Sequence, residues 1–381
     1  MWRVALEAGQ FSDFDSLLSL FSFEMHLSAH ETLDQKVFQR IGEVLKNKAV
    51  HLFLHVNEEV ITRSLQQAIF ESLPNIATIR ISPHQFKVTI ETELYLQGAI
   101  YEMKTGQRCV RNLLSVCSSN QSENLFEQYK FLRKLHEHAK NMDVLPVLQP
   151  VFHALPPTWV AQPSNPSMSL LLQTMDVLNL KKPAELDHDT YELSELKIIL
   201  QCMPYITQIR FSVALRQPKD IHKIVKIVVD LFILASESGE EKLKSLSTAC
   251  SYSTFPFAED GKDIQSFFLL DLFSQLKDNS LKAALQALKP ILQVAPAVWT
   301  LDLQKLEKTP ALTELLKLQA VTKTVELTSW SCEREKLRSF LNCLPYISHL
   351  CCDEQFFQSV CEVLSADREW NPKQIAELLK S

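Results

Sequence analysis

Two stretches of the chain share one pattern of apolar and polar positions. SELKIILQCMPYITQIRFS and EKLRSFLNCLPYISHLCCD align on Pro204 and Pro345. Before the proline, apolar residues recur with the i, i+3, i+4, i+7 spacing of one helix face, and the proline removes the backbone donor needed to continue the helix. These residues are Leu196, Ile199, Leu200 and Met203 in one copy and Leu337, Phe340, Leu341 and Leu344 in the other. After it, Ile209 and Phe211 alternate with polar residues as in a short strand. The pattern predicts a unit of helix, tight turn and strand.

The same unit recurs along the chain with varying fidelity. Good copies surround Pro74 and Pro296, and poorer copies surround Pro156, Asn179 and Ala320. Where neighbouring copies follow each other directly, their anchors lie 23 to 25 residues apart. A longer period also appears, because Trp159 and Trp299 occupy matched positions 140 residues apart. We therefore expect one repeat array over 1–381, with clearer repeats at 40–82, 143–212 and 281–353, less regular segments at 83–142 and 213–280, and a C-terminal helix at 370–380.

Five pairs of apolar residues mark the strands of these units. They are Leu52 with Leu54, Ile79 with Ile81, Ile209 with Phe211, Leu301 with Leu303, and Val325 with Leu327. An all-helical repeat is the main alternative, but β-branched residues are enriched in segments such as TIRIS and TVELT, which favours strands.

On these strand motifs the chain resembles the ribonuclease-inhibitor-like branch of the leucine-rich-repeat family and is similar to the irregular repeats of NOD-like receptors, including those of fish. It departs from the family at the polar position after each strand, where His84, Ala214, Leu306, Trp330 and Gln355 stand instead of Asn or Cys. The resemblance implies an α/β fold, an irregular solenoid with a parallel sheet on one face. It also implies a recognition role in innate immunity.

Stacked units would display the residues between the buried strand positions on a single face. The candidate partner-binding residues on this face are Phe53, Arg80, Glu185, Arg210, Asp302, Glu326, Thr328 and Trp330. The C-terminal part of the face is acidic, which favours a basic partner. Solvent-facing strand residues are polar in any half-exposed sheet, however, so the pattern also fits a surface without a partner.

The amino-acid composition limits the cellular compartment and the class of binding partner that we expect. The net charge of −6 and the pI of about 6.0 provide no basic field to attract nucleic acid. The nine cysteines are odd in number and lack the spacing of a disulfide framework, which indicates a reducing, cytoplasmic setting. The most apolar window, 221–235, contains three charged residues and is shorter than the roughly 20 residues that span a bilayer, so we expect a buried helix and no membrane association.

A few residue patterns bear on catalysis and on cofactor or metal binding. Only six glycines occur, and none of them forms a GxGxxG or phosphate-loop motif. His26 and His30, with Asp34 one turn later, could lie on one helical face as metal ligands, but zinc needs further ligands at set spacing and an exposed helix explains the pair better. Cys343 and Cys352 fall on core positions, whereas Cys351 points outward. We therefore expect no catalytic residue, no cofactor and no metal.

Together these features predict a non-enzymatic module for protein–protein recognition, part of an intracellular sensor or adaptor. A scaffold or substrate-receptor subunit like those of ubiquitin ligases is the alternative, and an unrecognised enzyme is less favoured. The oligomeric state stays open.

Overall fold

The protein is described by a computed structural model that covers residues 23–28, 50–56, 61–82, 84–117, 125–163, 165–212, 218–257, 262–294, 296–304, 309–319, 321–330 and 333–365. Over these residues the fold is α/β, with fifteen α-helices and nine short strands. The strands form three parallel sheets of three strands each, and none of the sheets is closed. The C-terminal helix expected at 370–380 lies outside the described residues. The chain divides into two compact units, 1–158 with 169–180 and 159–168 with 181–381.

The first unit contains one sheet and the helices that follow it. In chain order its elements are β1 (Phe23–Ser28), β2 (Val50–His55), α1 (Arg63–Ser72), β3 (Ile76–Ser82), α2 (Lys87–Thr105), α3 (Cys109–Val116), α4 (Leu125–Asn141) and α5 (Leu145–Ala154). The sheet has the order β1-β2-β3. Leu52, Leu54, Ile79 and Ile81 alternate toward its buried face, as the period-2 pattern predicts. Helix α6 (Asn165–Leu178) has residues in both units.

The second unit contains two sheets. Its elements are β4 (Trp159–Ala161), β5 (Lys182–Leu186), α7 (Leu193–Cys202), β6 (Ile206–Phe211), α8 (Pro218–Ser238), α9 (Glu240–Ala249), α10 (Lys262–Asp278), α11 (Lys282–Ala287), α12 (Lys289–Val294), β7 (Val298–Asp302), α13 (Thr309–Leu318), β8 (Lys323–Ser329), α14 (Arg334–Leu341), β9 (Ile347–Cys351) and α15 (Glu354–Ser365). The strand orders are β4-β5-β6 and β7-β8-β9. Trp159 and Trp299, at matched positions in β4 and β7, are fully buried and pack within the core.

The predicted unit of helix, turn and strand is confirmed around Pro204. Helix α7 begins with a capping box formed by Glu192 and Glu195. It ends at Cys202, a 3-10 turn over 203–205 contains the proline, and β6 follows directly. All the apolar positions of this copy are buried. In the copy around Pro345 the helical positions of α14 are buried, but those of the turn and β9 are half-buried.

Both segments that were predicted to be less regular contain the same order of elements. A long helix (α2 or α8) leads to a short helix (α3 or α9), then to a single residue that bridges the third strand of the sheet, then to another long helix (α4 or α10). The bridging residues are Cys117, which pairs with Ile79, and Phe257, which pairs with Phe211. Helix α8 is buried along most of its length, which confirms the buried helix expected at 221–235.

The strand β1 was not predicted. The proposed metal-ligand spacing of His26 and His30 assumes a helix, but His26 lies in a strand, so that helical interpretation is wrong. Phe23, Met25 and Leu27 alternate with polar residues, which is the period-2 signal of a strand. His30 and Asp34 lie outside the described residues.

Candidate interaction surfaces

The candidate partner-binding residues are distributed over the outward faces of the three sheets. Within a sheet the strand register places some of them side by side: Phe53 is the partner of Arg80, and Glu185 is the partner of Arg210. Asp302 pairs with Ser329, which follows Thr328 in β8, and Glu326 pairs with Cys351. We call the outward faces of the sheets β1-β2-β3, β4-β5-β6 and β7-β8-β9 the first, second and third face.

The first face is a row of rings and a guanidinium across three strands. His26, Phe53 and Arg80 share one rung of the sheet. The His26 ring stacks on Phe53 with centroids 4.8 Å apart and an angle of 11°, and Arg80 Cζ lies 5.4 Å from the centroid of the Phe53 ring. This arrangement covers Phe53 from both sides, so the phenyl ring is half-buried although it lies on the outward face.

Two further histidines lie on the same face, both on β2. His55 stacks on His26 with centroids 5.1 Å apart, and His26 Nδ1 lies 2.8 Å from His55 Nε2. His51 Nδ1 lies 2.8 Å from Thr78 Oγ1. The Glu24 carboxylate lies 4.0 Å from His26 Nε2. The helical interpretation of His26 from the sequence missed its place in this histidine cluster.

The second face carries a polar ladder at the carboxyl end of its strands. Gln162 donates a hydrogen bond to Asp187 (3.0 Å), and the Ser212 hydroxyl donates to the same carboxylate (3.0 Å). Two residues before Asp187, Glu185 is half-buried, and its partner Arg210 on β6 is exposed. The Arg210 Nε–H donates to Gln208 Oε1 at 3.0 Å. These hydrogen bonds join the carboxyl ends of the three strands, while the Arg210 side chain is exposed to solvent.

The third face is acidic, and several of its predicted binding residues also have structural partners. Asp302 accepts hydrogen bonds from the Gln304 backbone N–H (3.1 Å) and from the Ser329 hydroxyl. Thr328 is exposed, and its hydroxyl donates to the Leu301 carbonyl (3.2 Å). Asp302 therefore joins the ends of β7 and β8 in addition to carrying charge.

Trp330 is less exposed than expected. It is half-buried because its Nε1 donates to both carboxylate oxygens of Asp353, at 3.1 and 3.2 Å, and its ring packs edge-on against Phe356. Thr300 of β7 is buried, and its backbone N–H donates to Ser266 Oγ of α10 (3.0 Å). On the same face Cys351 is exposed, which confirms its predicted orientation.

The buried cysteines are not poised for nucleophilic chemistry. Burial raises the pKa of Cys109, Cys202 and Cys250 to about 12, so these thiols are protonated at neutral pH and are poor nucleophiles. Cys343 is buried too, as predicted, and its pKa rises to about 11 for the same reason. Over the described ranges, no three His, Cys, Asp or Glu side chains form a group that could hold a metal ion.

Two polar side chains of α8 in the second unit contact carboxylates of other elements. Lys223 bonds the Asp189 carboxylate, and this hydrogen bond lowers the pKa of Asp189. His222 Nδ1 lies 2.9 Å from Asp271 Oδ2, and that oxygen also accepts from Gln275 Nε2 at 3.1 Å. An imidazole held by a carboxylate is one part of several catalytic arrangements, but a nucleophile would also be needed.

Among the helices that the structure describes, none is both long and apolar enough to cross a membrane. Comparison of the chain with family models, with curated proteins and with solved structures found no match in any of the three.

Proposed function

We propose that this protein is a non-enzymatic recognition module that binds other proteins on the outward faces of its three parallel sheets. In this proposal the chain is an irregular, leucine-rich-repeat-like solenoid and works in the cytoplasm as part of a sensor or adaptor. The observation that carries it is the division of each sheet into two kinds of face. One side is packed with apolar residues such as Leu52, Ile79 and Ile209, and the other presents rows of charged and aromatic side chains.

The composition of the outward rows supports protein rather than another class of partner. Arg, Phe and Trp, which are enriched at protein interfaces, occur together with carboxylates on these faces. The faces also differ in their fixed charges: the described part of the first contains one arginine, Arg80, and one carboxylate, Glu24, whereas the third contains Glu326, Asp302 and Asp353. Different faces of this kind suit partners, or parts of one partner, of different charge. A scaffold or substrate-receptor subunit would use the same faces, and the identity of the captured partner distinguishes these roles.

The test is quantitative affinity capture from a cytosolic extract with a face variant and a matched control. The face variant is Glu185→Lys with Glu326→Lys, which reverses one carboxylate on each of the second and third faces. The control is Glu237→Lys with Asp278→Lys, which makes the same charge change at exposed positions on α8 and α10. We expect the wild type and the control to capture the same discrete partner and the face variant to lose it by roughly tenfold or more.

Circular dichroism and thermal unfolding establish that all three proteins are folded. If the face variant retains the partner as well as the control does, or if the wild type captures no discrete partner, the proposed function is wrong.

A further inference from the structure

We propose that two copies of this protein associate through the edge strand β9, which pairs antiparallel with β9 of the second copy about Cys351. The site is the backbone edge of the third sheet and not its outward face, so the inference goes beyond the proposed function and does not depend on it. The open edge of β9, the absence of fixed charge along it and the fit of the strand to its own copy support this pairing.

The other end strands of the sheets show how the chain covers an edge. The bridging residues Cys117 and Phe257 lie against the outer edges of β3 and β6. On the far side of the third sheet, the Thr300 backbone N–H of β7 donates to Ser266 Oγ of α10 (3.0 Å). Within the described part of the chain, which runs without a gap over 333–365, no residue forms a bridge or a backbone hydrogen bond with the outer edge of β9. Such an edge is a template for a further strand.

The sequence of β9 contains no residue that would oppose pairing with another chain. Folded proteins commonly protect their edge strands with charged side chains or proline. The segment ISHLCC, over 347–352, has no Asp, Glu, Lys, Arg or Pro. The register irregularity between β8 and β9 lies before His349, so it leaves the segment 349–353 available for a regular ladder.

The apolar positions of β9 are also incompletely covered. Ile209 and Phe211 of the matched strand β6 are 1% and 2% exposed, because the chain continues past that edge to its bridging residue. The corresponding residues of β9, Leu350 and Cys352, are half-buried. A further strand beside β9 would bury them as their counterparts are buried in the second sheet.

The matched strands show which backbone groups of β9 point outward. Phe211 and Ile79 form the bridges beyond the edges of their sheets, and the Phe211 N–H donates to the Pro256 carbonyl at 2.7 Å. When the copies are aligned on their prolines, Phe211 matches Cys352 and Ile79 matches Leu350. Backbone groups alternate in direction along a strand. Leu350 and Cys352 therefore turn their N–H and C=O groups toward the open edge.

An antiparallel pair centred on Cys351 uses these groups. Leu350 of each copy lies opposite Cys352 of the other, so both pairs exchange backbone hydrogen bonds and bring their half-buried side chains together. Cys351 lies opposite Cys351 of the second copy in a non-hydrogen-bonded pair. His349 lies opposite Asp353 of the second copy, where an imidazole N–H can donate to the carboxylate. No fixed charge faces a like charge in this register.

An open groove beside the end of β9 adds apolar surface to the interface. Its volume is about 560 Å³, and it is lined by Cys352, Asp353, Glu354, Phe357 and Gln358. Phe357 is 40% exposed on α15, unusually so for a large apolar side chain of this protein. Because residues 349 and 350 of the second copy lie opposite 353 and 352, the second copy covers the mouth of this groove.

Sedimentation equilibrium of the full-length protein in a reducing buffer tests for the dimer. We expect a monomer–dimer equilibrium with a Kd of roughly 10–100 µM, because the interface is at the small end of the range for specific complexes. The measurement covers protein concentrations on both sides of this value. A protein that stays monomeric at every concentration, or that forms assemblies larger than a dimer, overturns the proposal.

A charge swap at the centre of the pair tests the register. Cys351→Lys places two ammonium groups opposite each other and Cys351→Glu two carboxylates, so each variant alone should raise the Kd by roughly fivefold or more. An equimolar mixture of the two variants should recover the wild-type affinity, because Lys then faces Glu. Thr207→Lys, at an exposed position of β6, is the control and should dimerise as the wild type does. A mixture that associates no better than its components, or a control that is weakened equally, contradicts the pairing.

Oxidative cross-linking of the wild-type protein tests the same register without a substitution. The Cα atoms of a non-hydrogen-bonded antiparallel pair lie about 4.5 Å apart, which is within the range spanned by a disulfide. Oxidised glutathione takes up the two electrons and two protons released, and we expect a dimer joined by Cys351 of both copies on a non-reducing gel. Cys351→Ser should remove this band. A dimer seen by sedimentation that does not cross-link through Cys351 overturns the proposed pairing.

Discussion

Single residues in the second unit show two ways of packing a tryptophan among apolar neighbours. Trp299 Nε1 donates to Gln319 Oε1 at 3.1 Å, and Gln319 Nε2 donates in turn to the Leu292 carbonyl at 3.2 Å. At the matched position in the other sheet, the ammonium of Lys182 lies 5.1 Å from the centroid of the Trp159 ring. Lys182 is only 5% exposed, and burial lowers its pKa to about 8. The Lys182 ammonium is therefore a titratable charge inside the fold, and the free-energy cost of burying it depends on pH.

The cost of burying Lys182 predicts a rise in stability with pH. Between about pH 8 and pH 10.5 the unfolded chain keeps its ammonium while the folded protein binds fewer protons, so the free energy of unfolding increases with pH. Below pH 8 both states are charged and the penalty is constant. Lys182→Met removes the penalty, so we expect this variant to be more stable than the wild type by about 2 kcal/mol at pH 7 and the difference to shrink as the pH approaches 10.

Urea unfolding at a series of pH values measures both parts of this prediction. Lys181→Met, at the exposed neighbouring position, serves as the control and should follow the wild type throughout. A constant difference between Lys182→Met and the wild type from pH 7 to pH 10 would show that the side chain does not titrate in the folded state.

At the scale of elements, the packing of α2 against α3 depends on Gly98. A Cβ atom at this position would lie 2.7 Å from Leu113 Cδ1, 3.2 Å from Cys109 Sγ and 3.6 Å from Phe70 Cε1. Glycine inside a helix costs about 1 kcal/mol relative to alanine, so its use here indicates that close approach of the helices offsets that cost.

A graded pair of substitutions tests this contact. Gly98→Ala is expected to change the stability by less than about 1 kcal/mol, because better helix propensity offsets a shift of the Leu113 methyl group. Gly98→Val adds two further methyl groups where no space exists, and we expect a loss of about 2–4 kcal/mol in chemical denaturation. Leu113→Ala in the valine background should recover part of that loss, since it removes the side chain that the new group meets. If the stability losses of Gly98→Val and Leu113→Ala simply add in the double variant, the two positions are not in close contact and the prediction is wrong.

The same scale shows how far the sequence determines the fold. The helix, turn and strand around Pro204 could be predicted because helix periodicity, a proline and strand alternation are all local signals. The signal for β1 was also present, but the i, i+4 spacing of two histidines suggested a helix instead. Local patterns of different periods can overlap in one segment, and only the pairing of β1 with β2 decides between them.

The candidate surfaces could be predicted only in part, because side-chain contacts depend on register between strands. Phe53 and Arg80 were both expected on the outward face, but their contact with each other and with His26 joins residues about one repeat apart. Trp330 was expected to be exposed, yet Asp353, more than twenty residues later in the sequence, accepts its indole N–H. Such long-range partners leave no periodic signal in the chain.

At the scale of the whole molecule, each of the two compact units contains a set of fully buried apolar residues. In the first unit Leu94 of α2, Leu113 of α3 and Leu132 of α4 are fully buried. In the second, Ile224 and Phe232 of α8 are buried together with Phe268 of α10. Compact units of one chain open by local equilibria of their own, so we expect a defect among the buried residues of one unit to be felt mainly within that unit.

Hydrogen exchange measured by mass spectrometry on the full-length protein tests this independence with one defect in each core. Gly98→Val should accelerate exchange in peptides from α2, α3 and α4, because it weakens their packing, and should leave peptides from α8 unchanged. Phe268→Ala, which removes a fully buried ring and should cost about 3–5 kcal/mol, is expected to do the reverse. If either variant accelerates exchange to the same extent in α2 and α8, the two units unfold as one cooperative body, and the division into separate cores does not describe how this protein is stabilised.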